Sequence, residues 1–140
     1  MSADFFDSNI FIYLFDAAAH DKRRTAEALT RSALQAKTAC ISFQVVQETL
    51  NVLTRKLAVP VTPDDAQEFL HRMLMPLWRV MPSQKLYADA IGLQARLGFS
   101  FCDSLIVAAA LEAGCNRLLT EDLQHGQRIE GLRVENPFKG

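Results

Sequence analysis

Residues 3–9 read Ala3-Asp4-Phe5-Phe6-Asp7-Ser8-Asn9, a short apolar run that stops at a carboxylate. The same grammar returns near the far end, where Arg117-Leu118-Leu119-Thr120 runs into Glu121-Asp122. A β-run ending in Asp is expected to put that Asp at the carboxyl edge of a sheet, which is where open α/β sheets bind ligands. Two further acids, Glu48 and Asp103, fall in helical patterns between these runs. If all four converge, they form an oxygen-lined pocket suited to a hard divalent metal.

Outward from residues 3–7, strand and helix alternate. Ser8 is expected to cap a short helix through Ile10, Phe11, Leu14 and Phe15. Helical spacing predicts a helix over 21–36, then a strand over 39–41 and a helix over 43–57 carrying Val46, Leu50, Leu53 and Leu57 on one face. Thr62-Pro63-Asp64-Asp65 starts another, with a cap, a proline at its first position and acids in its first turn, running to about 75. A strand over 77–81 closes at Pro82, a helix over 83–97 ends at Gly98, and a helix over 103–113 ends at Gly114. That last helix is apolar all round through Leu105-Ile106-Val107-Ala108-Ala109-Ala110-Leu111, which marks it as buried. Strands over 117–120 and 132–134 complete the pattern. Short strands separated by helices imply parallel pairing with right-handed crossovers. The expected fold is α/β: a three-layer α/β/α sandwich with a small, mainly parallel central sheet.

The 140 residues are one domain's worth of chain, read as a single domain over 1–140, with 49% hydrophobic and 22% charged residues. No secretory leader and no membrane span are visible, and the three cysteines form no Cys-x-x-Cys pair. The reading is a cytoplasmic protein with reduced, mostly buried thiols. His20, His71 and His125 are far apart and are expected at the surface. The formal net charge of −1 excludes a broad basic nucleic-acid face, so contact with nucleic acid must be local, transient or metal-mediated. Lys22-Arg23-Arg24 is the densest basic cluster, read as the exposed start of a helix, with phosphate binding as the alternative.

Each acid has a plain structural explanation beside the functional one. Asp7 can make an Asx-turn or help cap the next helix, and Asp4, inside the strand, is less well placed for a site. Gln44, Glu48, Asn51 and Arg55 form a polar stripe, either a solvated helix face or the lining of a groove. Ser100-Phe101-Cys102-Asp103 resembles a capping box with Asp for Glu, yet it opens an apolar helix whose N-terminus should face the interior or a cleft. Local pattern leaves open which of Glu121 and Asp122 points inward.

Four motifs in order resemble the PIN-domain family and, within it, the VapC-type toxins of bacterial toxin–antitoxin pairs. They are Phe6-Asp7-Ser8-Asn9-Ile10-Phe11-Ile12-Tyr13, with Ser8 where Thr is frequent; Gln47-Glu48-Thr49-Leu50-Asn51-Val52-Leu53; Phe101-Cys102-Asp103-Ser104-Leu105-Ile106 and its Ala-rich continuation; and Leu118-Leu119-Thr120-Glu121-Asp122. The closing Glu135-Asn136-Pro137-Phe138 is similar as well. The resemblance covers essentially the whole chain and selects Asp122 over Glu121. It implies a Mg²⁺- or Mn²⁺-dependent ribonuclease in which Asp7, Glu48, Asp103 and Asp122 hold the metal. Asn9 and Thr120 would support them by hydrogen bonding. It also implies an RNA substrate, a small antitoxin protein as partner, and a homodimer. Apolar anchors for partners are expected in Phe69, Leu70, Met73 and Leu74 and in Met75-Pro76-Leu77-Trp78, which otherwise pack the core.

Three rival readings differ at named positions. A haloacid-dehalogenase-like phosphatase needs a second Asp two positions after Asp7, where this chain has Asn9. A response-regulator receiver needs an Asp after a central strand, and the middle strands here are followed by Ser42 and Pro82. A PIN-like binding module without catalysis would not need the four-acid set.

Overall fold

Asp4–Phe6 forms the central strand, β1, in the computed structural model, which describes residues 3–139. Phe5 and Phe6 are buried, and aromatic side chains of that size each gain roughly 2–3 kcal/mol from leaving water. The other strands are β2 (Ala39–Ser42), β3 (Trp78–Val80), β4 (Arg117–Leu119), β5 (Arg128–Ile129) and β6 (Leu132–Glu135), in the order β3-β2-β1-β4-β6-β5. Every pairing is parallel except β5 with β6.

The sequence reading omits β5, and the reason is its length. Two residues show no periodicity. It is the first arm of a hairpin whose loop, Glu130-Gly131, takes positive φ at both positions (52° and 97°). That geometry matches the twist of the flanking strands and suits the glycine.

The helices are α1 (Ser8–Ile12), α2 (His20–Ala36), α3 (Phe43–Asn51), α4 (Pro63–Phe69), α5 (Met75–Leu77), α6 (Gln84–Leu97) and α7 (Phe101–Glu112). Thr62, Ser83 and Ser100 cap α4, α6 and α7 through their hydroxyls, and Gly98 ends α6 at φ 77°. Two helices widen where the sequence predicts them regular: π-type turns follow α3 at Val52–Lys56 and α4 at Leu70–Leu74. As its apolar run predicts, α7 is buried from Ser104 to Ala110.

The connections from β1 to β2 and from β2 to β3 step one way across the sheet, and the connection from β3 to β4 steps back past β1. With right-handed crossovers, α1–α5 and α6–α7 therefore cover opposite faces. The reversal puts a topological switch point between β1 and β4, where an open α/β sheet forms its crevice. The register pairs Phe6 with Leu119, so Asp7 and Thr120 emerge side by side at that point.

Among the described residues no single helix is long and apolar enough to cross a membrane. All three histidines are exposed. All three cysteines are free thiols; Cys40 and Cys115 are buried, and Cys102 is exposed.

Candidate active site

Asp7 continues the ladder one residue past β1, its amide donating to the Leu119 carbonyl at 3.0 Å. It then turns the chain into α1 by acting as the cap itself, with Oδ1 accepting the Ser8 amide at 2.7 Å. The expected cap at Ser8 is thus displaced by one residue, because Asp7 holds the extended backbone that a cap needs (φ −78°, ψ 165°). Ser8 becomes the first helical residue. Its hydroxyl lies 3.5 Å from Asp7 Oδ1 and 3.4 Å from Glu48 Oε1, a donor shared by two carboxylates.

The remaining oxygen of Asp7 accepts the Thr120 hydroxyl at 2.7 Å. Thr120 Oγ1 in turn accepts the Asp122 amide at 3.1 Å, bending the chain after β4. Asn9 Nδ2 donates to Asp122 Oδ2 at 3.3 Å and to Thr120 Oγ1 at 3.5 Å. Asn9 and Thr120 therefore stand between Asp7 and Asp122, where the sequence reading puts two supporting groups.

Glu48 comes from α3. Gln44, one turn earlier, donates to Glu48 Oε2 at 3.5 Å and to the Cys102 carbonyl at 3.0 Å, which ties α3 to the start of α7. Asp103 sits on that first turn. The Ser100 hydroxyl accepts the Asp103 amide at 3.0 Å, which is half of a capping box. The other half is missing: among the described residues the Asp103 carboxylate accepts no hydrogen bond. Capping explains the backbone of Asp103 and leaves its side chain for the cavity.

All four predicted acids line one cavity of about 250 Å³, together with Ser8, Gln44, Asn51 and Lys56. The stripe on α3 is therefore a groove lining, with one exchange. Arg55, its expected fourth member, does not line the cavity, and Lys56 does. The π-type turn after Asn51 adds a residue to the turn and so shifts the facing position by one. Asp4, the discarded candidate, is held by Arg117 at 2.6 Å. The two largest of the concavities described, of about 480 and 510 Å³, lie between α6 and α7 and at the amino-terminal edge of the sheet. Of their acids, Asp89, Glu130 and Asp4 are already neutralised, being paired with Lys85, Arg96 and Arg117.

The electrostatics of the acid cavity are those of uncompensated charge. Burial pushes the Asp7 carboxyl up to about 7, against the pull of the Thr120 and Ser8 hydrogen bonds, and repulsion from Asp122 and Glu48 adds to it. Burial also raises Glu48, opposed by Gln44 and Ser8 and reinforced by Asp122 and Asp103. Asp122 is raised by burial and then by Asp103 and Glu121.

Among the described residues no three acidic, histidine or cysteine side chains are drawn close enough to hold an ion unaided. The donor set nevertheless fits a hard, hydrated divalent cation, because Mg²⁺ keeps several waters and takes only one or two carboxylates directly. Among the described residues, Asn9 Oδ1 and Gln44 Oε1 beside the acids are buried without a hydrogen-bond partner, and Gln44, which lines the cavity, offers a further acceptor for a hydrated ion.

Several α/β classes gather carboxylates at the switch point of a mainly parallel sheet, and the sequence itself decides among them. The family model for the PIN domain matches residues 5–128, so the chain belongs to the PIN domain family. No curated protein matches it. Among solved structures it is similar to a toxin–antitoxin complex from Klebsiella pneumoniae (TM-score 0.68, 22% identity, 96% of this chain and 98% of that one). It is also similar to DNA-bound VapBC from Salmonella typhimurium (0.67, 20%, 98% and 99%). A third is VapC20 of Mycobacterium tuberculosis, a Sarcin-Ricin loop cleaving toxin (0.61, 20%, 86% and 92%). At these identities the likeness is one of fold.

Proposed function

We propose that this chain is a metal-dependent endoribonuclease and the toxin of a toxin–antitoxin pair, working in the cytoplasm as a single domain over residues 1–140. The observation that carries the reading is the convergence of four carboxylates, from β1, α3, α7 and the end of β4, on one small cavity. No histidine lines that cavity, so neither its one thiol, Cys102, nor the Ser8 hydroxyl has an imidazole beside it among the lining residues. Nucleophilic side-chain catalysis would need such a pair.

Asp7, Glu48, Asp103 and Asp122 would hold Mg²⁺ or Mn²⁺. When bound, the ion would neutralise phosphate charge and lower the pKa of a coordinated water. Thr120 fixes Asp7, Asn9 steers Asp122, and Gln44 and Ser8 hold the two oxygens of Glu48. Lys56, the one cation among the described residues lining the cavity, would meet a phosphate oxygen of an RNA strand. Its location answers the charge problem, since a chain of net charge −1 must make its phosphate contacts locally.

The test is cleavage of single-stranded RNA across a titration of Mn²⁺ and Mg²⁺. No cleavage is expected in chelator, recovery is expected on adding either ion, and Asp7→Asn should stay inactive throughout. Cleavage in chelator at the rate seen with metal would overturn the proposal.

The similar structure from Klebsiella pneumoniae is a toxin–antitoxin complex, which supports an antitoxin as partner here. The apolar anchors expected from the sequence divide in two. Leu74 and Leu77 belong to the core, whereas Phe69 and Met73 are half-buried and line a groove of about 360 Å³ with Phe15 and Leu34. Light scattering of the chain alone is expected to give a homodimer. Co-expression with the product of an adjacent small reading frame is expected to give a larger complex, weakened by Met73→Glu. A strict monomer with no co-purifying partner would remove the partner proposal and leave the nuclease.

A further inference from the structure

Asp122 is anchored more weakly than Asp7 or Glu48. It lies on the loop after β4, and its carboxylate is met by one long hydrogen bond from Asn9. Its neighbour Glu121 is held firmly on the other side. Glu121 Oε1 accepts the Tyr13 hydroxyl at 2.6 Å, and Oε2 accepts from Lys22 Nζ at 3.2 Å. Lys22 also donates to the Tyr13 oxygen at 3.0 Å, which closes a ring of three side chains. The Tyr13 ring packs edge-on against Phe138, with centroids 4.8 Å apart, and Lys22 Nζ lies 4.9 Å from its centre.

The three members come from the turn after α1, the start of α2 and the β4 loop. Glu121 does not line the acid cavity, and Asp122 does. Lys22 is thereby taken out of the exposed basic cluster of residues 22–24, since its ammonium is committed to Glu121.

We infer that Tyr13, Lys22 and Glu121 form a clasp that aims Asp122 into the cavity by fixing the residue before it, so that these three positioning residues set the affinity of the site for a divalent cation. The inference rests on the metal reading above. Its physical basis is entropic: a carboxylate on an unrestrained loop must be ordered when an ion binds, and a preformed clasp removes that cost.

Charge and positioning make opposite predictions at Lys22, and this gives the test. Mn²⁺ affinity is measured by calorimetry on the chain without RNA, beside thermal melts of the metal-free forms. Tyr13→Phe changes no charge and keeps the ring against Phe138; it should weaken Mn²⁺ binding on the order of tenfold. Lys22→Met adds net negative charge near the site, which by Coulomb attraction alone would tighten Mn²⁺ binding. The clasp requires it to weaken binding, and Lys22→Arg to restore most of the loss. The metal-free melting temperatures should stay close to wild type.

Wild-type affinity in both Tyr13→Phe and Lys22→Met, or tighter binding in Lys22→Met, would overturn the clasp while the metal reading stood. A parent chain that takes up no Mn²⁺ at all would instead overturn the metal reading, and the clasp with it.

Discussion

Asp103→Asn is expected to lower RNA cleavage by a hundred- to a thousandfold, roughly the effect of removing one preorganised electrostatic group from a reacting centre. The metal-free chain should meanwhile melt within about 3 °C of wild type. The dissociation follows from how α7 begins. Its cap is the Ser100 hydroxyl, which accepts the Asp103 amide, and that bond does not involve the side chain being changed. The Asp103 carboxylate contributes only its favourable place in the first turn of a helix, about 0.3–1 kcal/mol. Its removal also relieves repulsion with Glu48 and Asp122. Ser100→Ala should show the opposite signature, with about 1 kcal/mol of stability lost and cleavage largely retained. If Asp103→Asn cut RNA normally and melted early, the acid would be a helix cap and nothing more.

Asp7→Asn should stabilise the metal-free protein in mildly alkaline solution while abolishing cleavage. The Asp7 carboxyl, ordinarily near 3.8, is pushed to about 7 by burial, so the folded chain holds a proton that the unfolded chain has released. Stability from this group is full below about pH 4, falls as the pH rises, and is gone above about 7. Asparagine never ionises and keeps an acceptor for the Ser8 amide. The two proteins should therefore melt together near pH 4 and separate up to pH 7, by at most about 4 kcal/mol or ~10 °C at pH 8. Adding Mn²⁺ at pH 8 should raise the melting temperature of wild type and leave Asp7→Asn unmoved. Parallel stability curves from pH 4 to 8 would show that Asp7 carries no burial penalty.

The parts of the fold legible in the sequence are those that repeat a local rule. The burial of α7 follows from its all-round apolar run, and the carboxyl-edge position of Asp7 from a β-run that ends in an acid. The choice of Asp122 over Glu121 rests on the motif resemblance; in the structure Asp122 lines the cavity and Glu121 does not. Local pattern was neutral there, because the clasp that distinguishes the two acids joins residues about 100 positions apart. Capping by Asp7 and by Ser8 are both open to the sequence, because adjacent residues of equal capping ability are separated only by where the strand stops. β5 escaped because two residues carry no period, and Lys56 because nothing in residues 52–56 announces an added residue in the turn.

That added residue means that part of the cavity wall is specified by chain length rather than by composition. Substituting residues 52–55 one at a time preserves the count and so leaves Lys56 facing the acids. Deleting any one of them would let a regular helix bring the same lysine to the cavity, whereas regularising the turn at unchanged length would rotate Lys56 away by about 100°. Arg55 and Lys56 carry the same charge, yet only the miscounted one faces the cavity. In comparing relatives of this chain, the informative variable at this position is the spacing between the glutamate and the following cation, and alignments that absorb the difference as a gap will erase it.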